Sequence, residues 1–150
     1  MNLNVKESYN TMVDFLDQLY WKTYSDDFGS FLGGLMFLPD GGTADPAEWE
    51  DWIDSVNNIK KLYDMKEENE NVTFTLKQAY EIAQNFFDDY YKLTNSAYED
   101  FGNLIKDMTL LENGESTNPE YWKNWIFSAN KVKQLGDKAD KMLIFLSRNV

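Results

Sequence analysis

An internal repeat constrains this chain more than any other feature of its sequence. Asp26-Asp27-Phe28-Gly29 returns as Glu99-Asp100-Phe101-Gly102, and Asp45-Pro46-Ala47-Glu48-Trp49-Glu50-Asp51-Trp52-Ile53 returns as Asn118-Pro119-Glu120-Tyr121-Trp122-Lys123-Asn124-Trp125-Ile126, both 73 positions later. Leu38, Gly41, Ser55 and Asn57 recur in the same frame as Leu111, Gly114, Ser128 and Asn130. Upstream the spacing is 71, pairing Tyr9 with Tyr80, Phe15 with Phe86, Tyr20 with Tyr91 and Thr23 with Thr94. The slip of two falls between helical segments, where insertions are tolerated.

Each copy reads as three helical segments. The first opens at a capping box, Asn4 with Glu7 or Thr75 with Gln78. Apolar residues then follow at helical spacing: Tyr9, Met12, Val13, Leu16, Leu19 and Tyr20 in one copy, Tyr80, Ala83, Phe87, Tyr90 and Tyr91 in the other. Ser25 and Ser96 are the expected N-caps of a short second helix. Met36-Phe37-Leu38 and Thr109-Leu110-Leu111 suit short extended pieces beside a turn. The third helix has the clearest start, with Asp45 or Asn118 as N-cap and Pro46 or Pro119 at its first position. Its stripe is Trp49, Trp52, Ile53, Val56 and Ile59, or Trp122, Trp125, Ile126, Ala129 and Val132.

The expected fold is therefore all-α: two diverged three-helix pseudo-repeats packed into one compact unit. Residues 1–150 are expected to form a single domain. Repeat one spans about 4–62, a polar linker 63–74, repeat two about 75–135, and a C-terminal segment 136–150. In that last segment Met142-Leu143-Ile144-Phe145-Leu146 is consistent with helix or strand.

Composition excludes several kinds of chemistry. The chain has no histidine and no cysteine, so the commonest general base, the usual zinc ligands and all thiol chemistry are missing. A net charge of -12 argues against phosphate backbones and anionic membranes. Residues 1–7 lack a basic stretch leading into an apolar one, so no signal peptide is read and a cytoplasmic location is expected. No metal or cofactor is expected, and the chain is not expected to be an enzyme. The paired tryptophans share one helical face with Ile53 or Ile126, which fits a core stripe better than a sugar or base platform. Asp26-Asp27 and Glu99-Asp100 sit where helix N-termini favour acids. Residues 40–45 lack the alternating oxygen ligands of an EF-hand.

The acidity is uneven. Residues 1–70 hold 15 Asp and Glu against 5 Lys and Arg, and residues 71–150 hold 11 against 9, giving -10 and -2. On the third helix Glu48, Glu50, Asp51 and Asp54 match Tyr121, Lys123, Asn124 and Phe127. Asp40 and Asp45 become Asn113 and Asn118. Glu48, Asp51 and Asp54 are spaced by three and share a helix side. A one-sided negative surface of this kind steers positively charged proteins. Asp40, Glu48, Glu50, Asp51 and Asp54 are the candidate partner-binding residues.

Residues 8–16, the stretch Thr23-Tyr24-Ser25-Asp26-Asp27-Phe28-Gly29, Asp40-Gly41, and Asp45 through Trp52 together resemble a family of small acidic bacterial proteins. These belong to polymorphic toxin and contact-dependent growth inhibition loci, where they look like immunity proteins. The likeness covers residues 5–60 well and the second copy more loosely, and it brings no catalytic residues. It implies a protein that binds and blocks a cognate toxin domain, expected to be basic, a nuclease being one candidate. A non-enzymatic adaptor is the alternative, and a carboxylate or metal-dependent hydrolase the third reading. The rich aromatic content leaves room for a homodimer.

Overall fold

The computed structural model describes residues 1–139, which lie outside the Met142–Leu146 stretch. The chain is mainly α-helical. A two-residue strand β1 (Asn2–Leu3) leads into α1 (Val5–Thr23), α2 (Asp26–Leu35) and α3 (Pro46–Leu62). A second strand, β2 (Phe74–Thr75), leads into α4 (Leu76–Leu93), α5 (Glu99–Met108) and α6 (Pro119–Leu135), and a 3₁₀ turn follows at Gly136–Lys138.

Local chemistry sets the ends of these helices. Asn4 accepts from the Glu7 amide at 2.8 Å and Glu7 Oε1 accepts from the Asn4 amide at 2.9 Å. Thr75 and Gln78 repeat this exchange at 3.1 and 3.0 Å. Asp45 accepts from Ala47, and Asn118 from Glu120, each at 3.1 Å. The turns before α3 and α6 also correspond. Leu38 donates to Gly42 at 2.6 Å and Leu111 to Glu115 at 2.7 Å, while Gly41 and Gly114 take left-handed φ of +89° and +85°. Such φ values explain why glycine stands at both places. The extended pieces close as isolated bridges, Phe37 with Thr43 and Leu110 with Ser116.

Two expectations are corrected. Ser25 does cap α2, accepting from the Phe28 amide at 3.3 Å. Ser96 caps nothing: it has a left-handed φ of 62°, and its amide bonds back to the Tyr91 carbonyl. The two extra residues of the second half are taken up in the turn after α4, so Tyr98, without a side-chain cap, precedes α5. Acids reach across instead. The Asp100 amide points at Asp27 Oδ2 at 3.4 Å, and Ser25 Oγ donates to Asp100 Oδ2 at 2.5 Å. The N-termini of α2 and α5 thus meet, which places both acidic pairs at helix ends. The stretch 63–74 is not uniformly polar and solvated, because Val72 and Phe74 are fully buried. β2 pairs antiparallel with β1 through Asn2–Thr75 and Leu3–Phe74.

The halves interlock. α1 packs most extensively on α6, and α3 on α4, so each third helix lies along the first helix of the other half. Both tryptophan stripes enter the shared core. Trp52 and Trp125 are fully buried. Trp52 Nε1 donates to the Val5 carbonyl at 3.3 Å and Trp125 Nε1 to the Leu76 carbonyl at 3.1 Å. Their edges pack on Tyr9 and Tyr80, with ring centroids 5.6 and 5.4 Å apart. Indoles and phenols supply large apolar area here while their polar atoms stay hydrogen-bonded. α1 is enclosed on almost every side. Besides its apolar stripe it buries Asn10, Thr11 and Asp14. The Asp14 carboxylate is held by Lys131 Nζ at 2.8 Å and Gln18 Nε2 at 3.2 Å.

Candidate functional site

The antiparallel contact of α3 with α4 leaves an open cleft of about 290 Å³ near the start of α3. Glu48, Asp51 and Asp54 line it from α3, and Phe86, Asp89, Tyr90, Lys92 and Leu93 from α4. Three of the five sequence candidates therefore come together, because a spacing of three keeps them on one helix side. Asp89 joins them from the second half, and local spacing on α3 says nothing of it.

Glu48 sits deepest. Gly34 on α2 lies beside it: a Cβ there would press on Asp45 Cβ at 3.3 Å and meet Glu48 Cγ at an ordinary 3.7 Å. Burial, followed by the neighbouring Asp45 and Asp51 charges, pushes the Glu48 carboxyl up to about 7. Asp51 is also raised, chiefly by burial and then by Asp54, with Asp45, Asp89 and Glu50 contributing. Asp89 is raised by burial and by Asp88, against the lowering effect of Lys92. At Glu48, Asp51 and Asp89 alike burial is the first cause of the upward shift, and neighbouring carboxylates add to it. Lys92 does little to relieve them, since its ammonium pairs with Asp88 at 2.8 Å.

The other two candidates lie elsewhere. Asp40 is exposed in the loop before α3, where Oδ1 accepts from the Gly42 amide at 2.9 Å. Its role there is turn formation. Glu50 is exposed and outside the cleft lining, because two residues from Glu48 is more than half a helical turn away.

The corresponding contact of α6 with α1 carries different side chains. Tyr121 stands at the Glu48 position and meets Phe15 edge-on, with centroids 6.1 Å apart. Gln18 stands at the Asp89 position and donates to Ser128 Oγ at 2.5 Å. Phe127, at the Asp54 position, is 60% exposed. One helix pairing thus gathers four carboxylates at an open cleft, and the matched pairing carries Tyr121, Asn124, Phe127 and Gln18 at those positions. The charge split between the halves is softened in space. Lys131 and Lys133 of the second half pair with Asp14 and Glu7 of the first, each at 2.8 Å. Among the described residues none of the ion pairs involves Glu48, Glu50, Asp51 or Asp54 of α3.

Among the described residues no group of three or more carboxylates is disposed to hold a metal ion, and no helix is long and apolar enough to cross a membrane. Comparison with family models, with curated proteins and with solved structures finds no match to this chain.

Proposed function

We propose that this chain is a non-catalytic binding protein that neutralises a cognate bacterial toxin domain, in the manner of an immunity protein, by covering a basic surface with its α3–α4 face. The observation that carries this reading is the gathering of Glu48, Asp51, Asp54 and Asp89 around one open cleft. The matched groove carries Tyr121, Asn124, Phe127 and Gln18 instead. Acidity used only for solubility has no reason to concentrate on one of two matched faces. A concentrated negative face raises the association rate with a positive partner and discriminates against negative ones. The resemblance of residues 5–60 to immunity proteins supplies the kind of partner, and a cytoplasmic site of action belongs to the same proposal.

The test is recovery of partners on the tagged chain from its native host, at low and high salt, with identification by mass spectrometry. A basic toxin C-terminal domain retained at low salt and reduced at high salt is the expected result. With that domain in hand, Asp51→Lys with Asp54→Lys is expected to slow association at least tenfold and flatten its salt dependence. Lys123→Glu on the matched face should change little. Parent-like binding by the double variant removes the proposed surface.

A second reading, an adaptor module that self-associates or docks through aromatics, draws on a different feature. Trp21 and Tyr24 are 46% and 68% exposed, and their rings touch at a centroid distance of 6.2 Å. Recovery of only the chain itself in the same experiment selects that reading.

A further inference from the structure

The apolar core does not choose the crossed pairing of the two halves. Phe15 meets Trp125 with ring centroids 5.5 Å apart, and Phe86 meets Trp52 at 5.3 Å. Phe15 and Phe86 are matched residues of the two copies, and so are Trp52 and Trp125. Packing α1 on α3 and α4 on α6, each within its own half, would bring the same ring types together. Hydrophobic burial is non-directional and follows the area covered, so identical rings give it no ground for preference. What separates the two pairings lies at positions where the copies differ.

One such position is buried. Asp14 on α1 is 2% exposed. Lys131 Nζ on α6 holds it across the helix contact at 2.8 Å, with Gln18 Nε2 at 3.2 Å as a second donor. The matched residues are Asn85 on α4 and Asn58 on α3. These too face each other, Asn58 Nδ2 donating to Asn85 Oδ1 at 3.2 Å. The crossed fold thus sets charge against charge in one contact and amide against amide in the other. Within-half pairing would set Asp14 against Asn58 and Lys131 against Asn85. The carboxylate would then stay buried without its cation, which is among the costliest faults a fold can carry.

Neighbouring charges do not make this choice. Glu7 pairs with Lys133 at 2.8 Å, but Lys60 holds the Lys133 position on α3, so Glu7 meets a lysine in either arrangement. The acidic cleft pulls the other way. Crossing sets Asp89 beside Glu48, Asp51 and Asp54, where within-half pairing would set Gln18. That repulsion acts in an open cleft screened by solvent, whereas Asp14 is enclosed.

We propose that the Asp14–Lys131 bridge is the pairing key of this molecule, a conformational selector that joins α1 to α6 rather than to α3 and makes each half complete its core with the other. A polar group at one buried position fixes register and partner in coiled coils through the same penalty on the wrong arrangement. Its worth as a plain stabiliser is secondary, since neutral groups that pack well can replace a buried bridge at little cost. The selector acts within the chain and does not rest on the identity of any partner.

The experiment uses the full chain and reads its melting temperature together with ring-to-ring nuclear Overhauser effects. Phe15–Trp125 and Phe86–Trp52 effects report the crossed pairing, and Phe15–Trp52 and Phe86–Trp125 effects report the within-half pairing. Moving the lysine alone, Lys131→Asn with Asn58→Lys, is expected to lower the melting temperature by roughly 10 °C or to exchange one set of effects for the other. Adding Asp14→Asn and Asn85→Asp moves the acid as well and places the whole bridge in the other helix contact. This variant should recover the crossed set and most of the lost melting temperature. Asp14→Asn with Lys131→Asn leaves asparagine at all four positions. It should fold and show the within-half set beside or in place of the crossed one. Parent-like melting and effects after the lysine is moved would overturn the selector, as would no recovery when the acid follows it. A four-asparagine variant that shows the crossed set alone, or does not fold, would overturn it too.

Discussion

At the scale of single residues, Glu48 has the environment most at odds with its chemistry. Its carboxyl titrates near 7 when folded against an ordinary value of 4.5. A carboxyl raised by folding binds its proton more tightly in the native state, so ionisation favours unfolding. Stability should therefore fall as pH rises from about 4.5 to about 7, with the loss complete above that window. Glu48→Gln removes this slope. Relative to the parent it should gain on the order of 1 kcal/mol near pH 8, after allowance for solvent screening, and much less near pH 5. Urea unfolding at the two pH values measures the difference, and a gain independent of pH contradicts the account. That Glu48, Asp51 and Asp54 share a side was legible from spacing alone. That Asp14 is buried against Lys131 was not, because helical periodicity marks α1 as having an outer face and the fold leaves it almost none.

At the scale of elements, the helix starts were the most legible part of the chain. Asp45 before Pro46 and Asn118 before Pro119 act within three residues of themselves, so no tertiary information is needed to read them. Asp45→Ala and Asn118→Ala are each expected to cost about 1 kcal/mol. Because the two caps serve separate helices, the double variant should lose close to the sum of the two. Denaturant midpoints at constant m-value check this, and strong non-additivity would show that the two helix starts are coupled. The second short helix was misread for a related reason. Ser96, three residues before Glu99, looks like a cap, but the extra residues after α4 shift the frame, and Asp27 approaches the Asp100 amide from the other half.

At the scale of the molecule, the interlocked helices decide how the chain folds and what it presents. With α1 on α6 and α3 on α4, neither half can bury its tryptophan stripe or its first helix alone. Residues 1–70 and 71–150 expressed separately should lack cooperative unfolding and should regain helical signal when mixed, while the full chain unfolds in one transition. Circular dichroism with urea titration tests this, and a folded isolated half would contradict it. The same interlocking builds the cleft, since one wall comes from each half.

The sequence by itself determined what neighbouring residues settle among themselves: helical segments with their caps, two glycine turns, two buried tryptophan stripes, and three carboxylates on one side of a helix. Periodicity states which face of a helix is covered but not which helix covers it. Two related stripes make pairing within a half and pairing across halves look alike. Only the tertiary structure decided for the crossed pairing. That decision brought Asp89 to the acids of α3, left Asp40 and Glu50 outside, and set Tyr121 and Gln18 at the matched positions where the cleft has Glu48 and Asp89.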